Sequence, residues 1–329
     1  MKAISRISRK LFFIPTIITA FCLGAPSAAL AGTDIWTGGG GDDIFWRTAD
    51  NWLAGTIPLA GDNLVFSNTA SLVSSNNFTT GTFFGSITFA TPAGAFVLKG
   101  HSVATTNITD LQVVTPETIT LPIIATNNLL TVDVVGNSIL NLNGEIQQPL
   151  ATTAGVTVTG NGLVNLNYNA TNQTTNIFGG TLEVDDAIIA PASDLSLGTT
   201  NDLNTPQAGR LVLNGGTLEA TGNLALNANR GISLGKASGN SWGTLAVDSG
   251  VTLSYGGVMA DNGGASGLTK AGFGQLTLFG SNSYTGPTTN LLGQITLDFS
   301  QAAVSDNIID SSSSLVLGGA TAPSGNQSY

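Results

Sequence analysis

The run Leu182-Glu183-Val184-Asp185-Asp186 places three carboxyl groups, Glu183, Asp185 and Asp186, within four positions. Clustered carboxylates do general acid–base work or bind Ca²⁺, usually with a basic residue nearby. Arg210 and then Glu219 follow one or two coils further along if the chain winds as a repeat. Glu183 and Asp185, however, alternate with Leu182 and Val184. In a strand this puts the acids on one face and the apolar side chains on the other. The pattern predicts a solvated, decorated outer face.

The other chemistry-bearing residues are sparse. His101 is the single histidine, and no Gly-x-Ser-x-Gly elbow accompanies it, so it reads as a turn or surface residue. The single cysteine, Cys22, falls in the N-terminal leader, leaving the rest without disulfide, thiol nucleophile or Cys-type metal site. The stretch GGGGDD at 38–43 is similar to one unit of a calcium-binding glycine–aspartate repeat. That motif works only by stacking and occurs once here, so a loop is predicted. Trp36, Trp46 and Trp52 offer faces for sugar stacking, yet aromatic residues at the start of a solenoid more often plug its open end. The glycines at 272–280 lack the Lys-Ser ending of a phosphate loop. No cofactor and no metal are predicted.

The elements that must carry these residues are short strands. Residues 1–31 read as a signal peptide: Lys2, Arg6, Arg9 and Lys10, then an apolar run, then Ala29-Leu30-Ala31 with cleavage near Ala31. Beyond it stand twenty acids and six bases, a net charge of 6 − 20 = −14, which disfavours nucleic acid as a partner. Segments such as TVDVV, ILNLNG, TLEVDD, RLVLNGGTLEATGNLAL and TLAVDSGVTLSYGG alternate with period two between Gly, Asn and Ser turns. No stretch after the leader keeps a helical apolar period, and none is long enough to cross a membrane as a helix.

The segments also repeat. GGTLEV at 179–184 returns as GGTLEA at 215–220, and GQLTL at 274–278 as GQITL at 293–297. Residues 210–226 hold three short strands and two tight turns, the content of one coil of a right-handed parallel β-helix, each coil stacking at about 4.8 Å. The predicted fold is all-β, with residues 32–66 as a Trp-rich N-terminal cap and residues 67–329 as the β-helix of about a dozen coils at roughly 20–25 residues each.

Residues 268–298 carry the clearest copy. Leu268, Lys270, Gly272, Gly274, Leu276, Leu278, Gly280, Asn282, Tyr284, Gly286 and Thr288 resemble the autotransporter-associated β-strand repeat, also called the passenger-associated transport repeat. The head, with Trp36, Trp46, Asn51-Trp52, Pro58, Gly61-Asp62 and Phe66, looks like the start of large proteins of that kind. The resemblance implies a secreted or cell-surface bacterial passenger whose repeat aids export and folding, acting in adhesion and touching the export machinery and polysaccharide or cell-surface components. Sequence after residue 298 shows neither a sorting signal nor the alternating strands of a membrane barrel. The competing expectation is a polysaccharide-degrading β-helix enzyme, a lyase or hydrolase, using Glu183, Asp185, Asp186 and Arg210.

Overall fold

The computed structural model describes residues 31–113, 115–126, 129–148, 155–167, 176, 178–198, 204–236, 241–302 and 307–318. Of the signal peptide expected at 1–31, residues 1–30 lie outside the described residues. From Ala31 onward the chain forms one compact unit, a parallel β-solenoid with three faces.

The first face is a 10-stranded sheet running from Thr33–Trp36 to Met259–Asp261. The second is an 11-stranded sheet from Val73–Asn76 to Leu315–Leu317. Two 4-stranded sheets make up the third face. One runs from Thr82–Phe83 to Ile146–Gln147 and the other from Leu224–Leu226 to Gln294–Leu297. Residues 210–226 fall as their pattern requires: Gln207–Asn214, Thr217–Ala220 and Leu224–Leu226 lie in three different sheets, and Arg230–Leu234 returns to the first.

Period two is what closes the interior. Leu64, Ile87, Ile108, Val132, Val158, Val184, Leu213 and Leu234 are successive register partners in the first sheet. All eight are buried, forming a continuous apolar column. One strand alone cannot bury such a face, and each neighbour covers the one before it. Trp36, Trp46 and Trp52 pack with Phe66, Phe84, Phe89 and Phe96 into an aromatic cluster at the N-terminal coils, with ring centroids 5.3–6.2 Å apart.

The coils are longer and fewer than their sequence spacing suggests. Ser86 pairs with Asn107, a step of 21 residues, but Leu182 pairs with Leu211, a step of 29. The ten strands of the first sheet are therefore separated by nine turns, not about a dozen. Midway, between Ile146–Gln147 and Leu224–Leu226, the described residues include no third-face strand, and the 3₁₀ helix Asp194–Leu197 occupies part of that span. No α-helix occurs among the described residues.

The repeat at 268–288 builds two rungs. Gly267–Ala271 and Thr288–Asn290 are neighbours in the second sheet, with Gln275–Leu278 in the third between them. Leu268, Leu276, Leu278 and Tyr284 are fully buried. Gly272 sits at φ +72°, and a Cβ there would meet Val247 O at 2.2 Å, so glycine is the residue this close approach admits. The polar positions of the motif are also interior. Asn282 receives Met259 N–H at 2.8 Å and donates to Ile308 O at 2.7 Å, while the Tyr284 hydroxyl meets Thr288 Oγ1 at 2.7 Å.

Lys270, buried like its neighbours, donates from Nζ to Ala271 O, Gly272 O and Leu292 O at 2.7, 2.8 and 3.1 Å. Burial pushes its ammonium down from 10.5 to about 8. The unfolded chain therefore holds this proton up to a higher pH than the folded chain does, so stability contributed here rises with pH between about 8 and 10.5. Urea midpoints taken across that window should climb in the wild type by more than in Lys270→Met. Equal climbs would show that Lys270 is not the titrating group.

Candidate functional site

The outer face of the first sheet gathers most of the predicted chemistry. Two polar columns run along it in register. One is Ser86, Asn107, Thr131, Thr157, Glu183 and the other Thr88, Thr109, Asp133, Thr159, Asp185. Glu183 and Asp185 thus end two ladders of hydroxyl, amide and carboxylate groups, opposite the buried Leu182 and Val184. Coils stack one ladder spacing apart, so these groups recur about every 4.8 Å along the axis.

Around the acids the structure assembles a cluster different from the expected one. Lys236 Nζ donates to Asp185 Oδ1 at 3.3 Å and Asp186 Oδ2 at 3.1 Å, and Asn214 Nδ2 donates to Glu183 Oε1 at 3.1 Å. Arg210 instead donates to the backbone carbonyl of Gly179. Among the described residues, Lys236 is the cation within ion-pair distance of these acids. Its hydrogen bond to Asp186, then that to Asp185, raises the Lys236 pKa. A lysine held protonated in this way is unsuited to abstract a proton. Asp186 adopts φ +58° at the corner where Asp185 bridges Gly215, so its position follows from the turn. Glu219 lies on a different sheet, at Thr217–Ala220, its pKa raised by burial and then by Asp248.

Beyond the acids the same face becomes a groove of about 280 Å³ lined by Gln207, Gly209, Gly231, Ser233, Val258 and Ala260 among others. Its origin is local. The strand Gln207–Asn214 shifts register between Gln207 and Leu211, and the next strand approaches so closely that a Cβ on Gly231 would lie 2.4 Å from Gln207 O. Small side chains then leave a trough on the sheet surface.

The head residues turn inward. Trp36, Trp46 and Trp52 are 1%, 0% and 2% exposed, so none presents a ring face to a sugar. Trp36 Nε1 donates to Ser71 O and Trp46 Nε1 to Ser74 Oγ, which ties the head to the first coils. Asp43 of the GGGGDD stretch receives the Phe45 amide at 2.8 Å and the Thr48 hydroxyl at 2.8 Å, so it organises a turn. His101 is exposed and lies 2.7 Å from Phe78 O through Nδ1. Among the described residues no group of three or more His, Cys, Asp or Glu is arranged to hold a metal.

Two buried charge systems were not visible as sites in the sequence. Arg230, 2% exposed, binds both carboxylate oxygens of Asp194 at 2.9 and 3.0 Å. It also reaches the carbonyls of Asp194, Leu197 and Gly198 at 2.8–3.0 Å, closing the C-terminal end of the 3₁₀ helix. The second system is acidic. Asp110 and Glu117 are fully buried, and burial pushes them up to about 6 and about 8. A break in hydrophobic alternation is the one signal that could have flagged them, since each stands where a neighbouring rung carries Val or Leu.

No family model matches the chain, and no solved structure matches it. Among curated proteins it is similar to the adhesin BmaC autotransporter of Brucella suis biovar 1 (strain 1330), at 34% identity over 124 residues. That stretch is 37% of this chain and 3% of the adhesin, so the chain matches a small part of a much longer protein. Sequence similarity and fold together fit a surface passenger-type protein built on a parallel β-solenoid.

Proposed function

We propose that the chain is an exported, surface-displayed β-solenoid of the autotransporter-passenger type that serves as a stalk or adhesive module, without catalytic turnover. The observation that carries this reading is one body built on 10- and 11-stranded parallel sheets in a chain similar to an adhesin. Export follows signal cleavage near Ala31, and the repeat at 268–298 aids folding during passage. The ladders of Ser, Thr, Asn, Asp and Glu on the first sheet are the surface offered to polysaccharide or other cell-surface components. Regularly spaced hydroxyl, amide and carboxylate groups can match the repeating hydroxyls of a glycan through many weak hydrogen bonds.

The full chain, produced with its leader in a bacterium with an outer membrane, should become accessible to protease added outside intact cells. Purified protein should bind members of a polysaccharide panel without shortening any of them, with Ca²⁺ present or absent. A chain that stays inside the cell refutes the passenger reading. Release of sugar fragments that disappears in Glu183→Gln or Asp185→Asn would establish the enzyme instead.

The face itself can be examined separately. Replacing Thr131 and Thr157 together by Lys should reduce polysaccharide binding by roughly tenfold, the equivalent of 1.4 kcal/mol. Stability should change little, because both are outward positions. Unchanged binding would move the contact off this face.

A further inference from the structure

We propose that the corner formed by Asp110, Thr115 and Glu117 holds a hard divalent cation, calcium in preference to magnesium. Asp110 occupies an inward position in the first sheet, in register between Phe89 and Val134. Glu117 occupies an inward position in the second sheet, in register with Leu140. One short connection, residues 111–116, joins the two strands, so both carboxylates enter the same corner of the same coil. The rungs on either side offer apolar side chains at these positions.

Each carboxylate is half satisfied. Asp110 Oδ1 receives the Gln112 amide at 2.9 Å and Glu117 Oε2 receives the Phe96 amide. Asp110 Oδ2, Glu117 Oε1 and the Thr115 hydroxyl oxygen are buried without a hydrogen-bond partner. The ion pairs among the described residues lie elsewhere, at Arg230 and Lys236, so no basic side chain compensates these two acids. Two uncompensated carboxylates are very unfavourable in an apolar interior. A cation seated in the corner would use the three free oxygens and both charges at once.

The donor set is carboxylate and hydroxyl oxygen, which suits hard cations and excludes a preference for softer transition metals. Calcium tolerates an irregular set completed by backbone carbonyls, whereas magnesium demands near-octahedral geometry and retains its waters. Leu111 and Val113 are exposed, so the corner is one connection away from solvent.

The test uses the full chain, stripped with EDTA and titrated calorimetrically at pH 7.5 with CaCl₂ or MgCl₂ alone. One calcium per chain is expected, with magnesium weaker. Calcium at a hundredfold excess over its dissociation constant should raise the thermal midpoint by roughly 5 °C or more. Asp110→Asn and Glu117→Gln keep the side-chain shape and should abolish uptake, while the Asp42→Asn/Asp43→Asn variant should retain it. If the amide variants fail to fold, Thr115→Val supplies the comparison, with calcium affinity lowered roughly tenfold, a loss seen even for supporting groups of metal sites. Absence of uptake by the wild type overturns the proposal. So does uptake unchanged in the folded Asp110, Glu117 or Thr115 variants, or uptake lost only when Asp42 and Asp43 are changed.

Discussion

Leu276→Asp should lower stability by about 5 kcal/mol, combining the lost burial of a leucine with an unpaired charge placed in the core. Leu276 and Leu278 are both 0% exposed and lie in strand Gln275–Leu278, packed between Thr252–Tyr255 and Gln294–Leu297. No basic side chain lies in the apolar column at these positions, where Leu276 pairs with Leu253 and Ile295. The thermal midpoint should fall by roughly 10 °C or more for a chain of this size. Because each coil contacts mainly its neighbours, the C-terminal coils should lose hydrogen-exchange protection first.

Leu297 supplies the internal control. It is the register partner of Leu278, one rung further on, but is 37% exposed. Leu297→Asp should change stability by only about 0.5 kcal/mol, the usual range for a surface substitution. Equal effects of Leu276→Asp and Leu297→Asp would refute the assignment of the inward column.

Arg230→Ala should destabilise the chain by about 3–5 kcal/mol, since removing one partner of a buried ion pair strands the other. The guanidinium reaches five acceptor atoms: two on the Asp194 carboxylate and the carbonyls of Asp194, Leu197 and Gly198. Lysine should not rescue it, because a point charge cannot reproduce the planar fork that spans carboxylate and carbonyls. The Tyr255 hydroxyl donates to Arg230 O at 2.7 Å, so the effect should extend into the next third-face strand.

A double-mutant cycle with Asp194→Asn should show strong coupling, with Arg230→Met/Asp194→Asn less destabilised than the sum of the two single variants. If Arg230→Ala lies within 1 kcal/mol of the wild type, a single-residue threshold for interaction effects, the clamp contributes little. Among the described residues this part of the third face has no strand, so the prediction bears on what holds the chain there.

Legibility in the sequence followed the reach of each interaction. Leu182, Val184, Leu211, Leu213, Leu218 and Leu276 were readable as inward because strand geometry alone makes neighbours i and i+2 share a face. Glu183 and Asp185 were readable as outward for the same reason. Their partner was not: Lys236 is 51 residues from Asp185, and the folded coils, not sequence proximity, bring it to the acids in place of Arg210. The tryptophans of the head were ambiguous between a plug and a sugar platform. A ring's composition does not say which way it faces, and only packing against Phe66 and Phe84 turned them inward.

The sequence by itself determined that this protein is all-β, coiled and repetitive, because strand period, turn glycines and near-identical units are local properties that survive without neighbours. Only the tertiary structure decided the length of each coil, the Arg230–Asp194 clamp and the burial of Asp110 and Glu117. Each of these depends on which residues a coil of variable length sets against the coil beneath it. A single inserted turn, as at Asp194–Leu197, changes that pairing without altering the local pattern on either side.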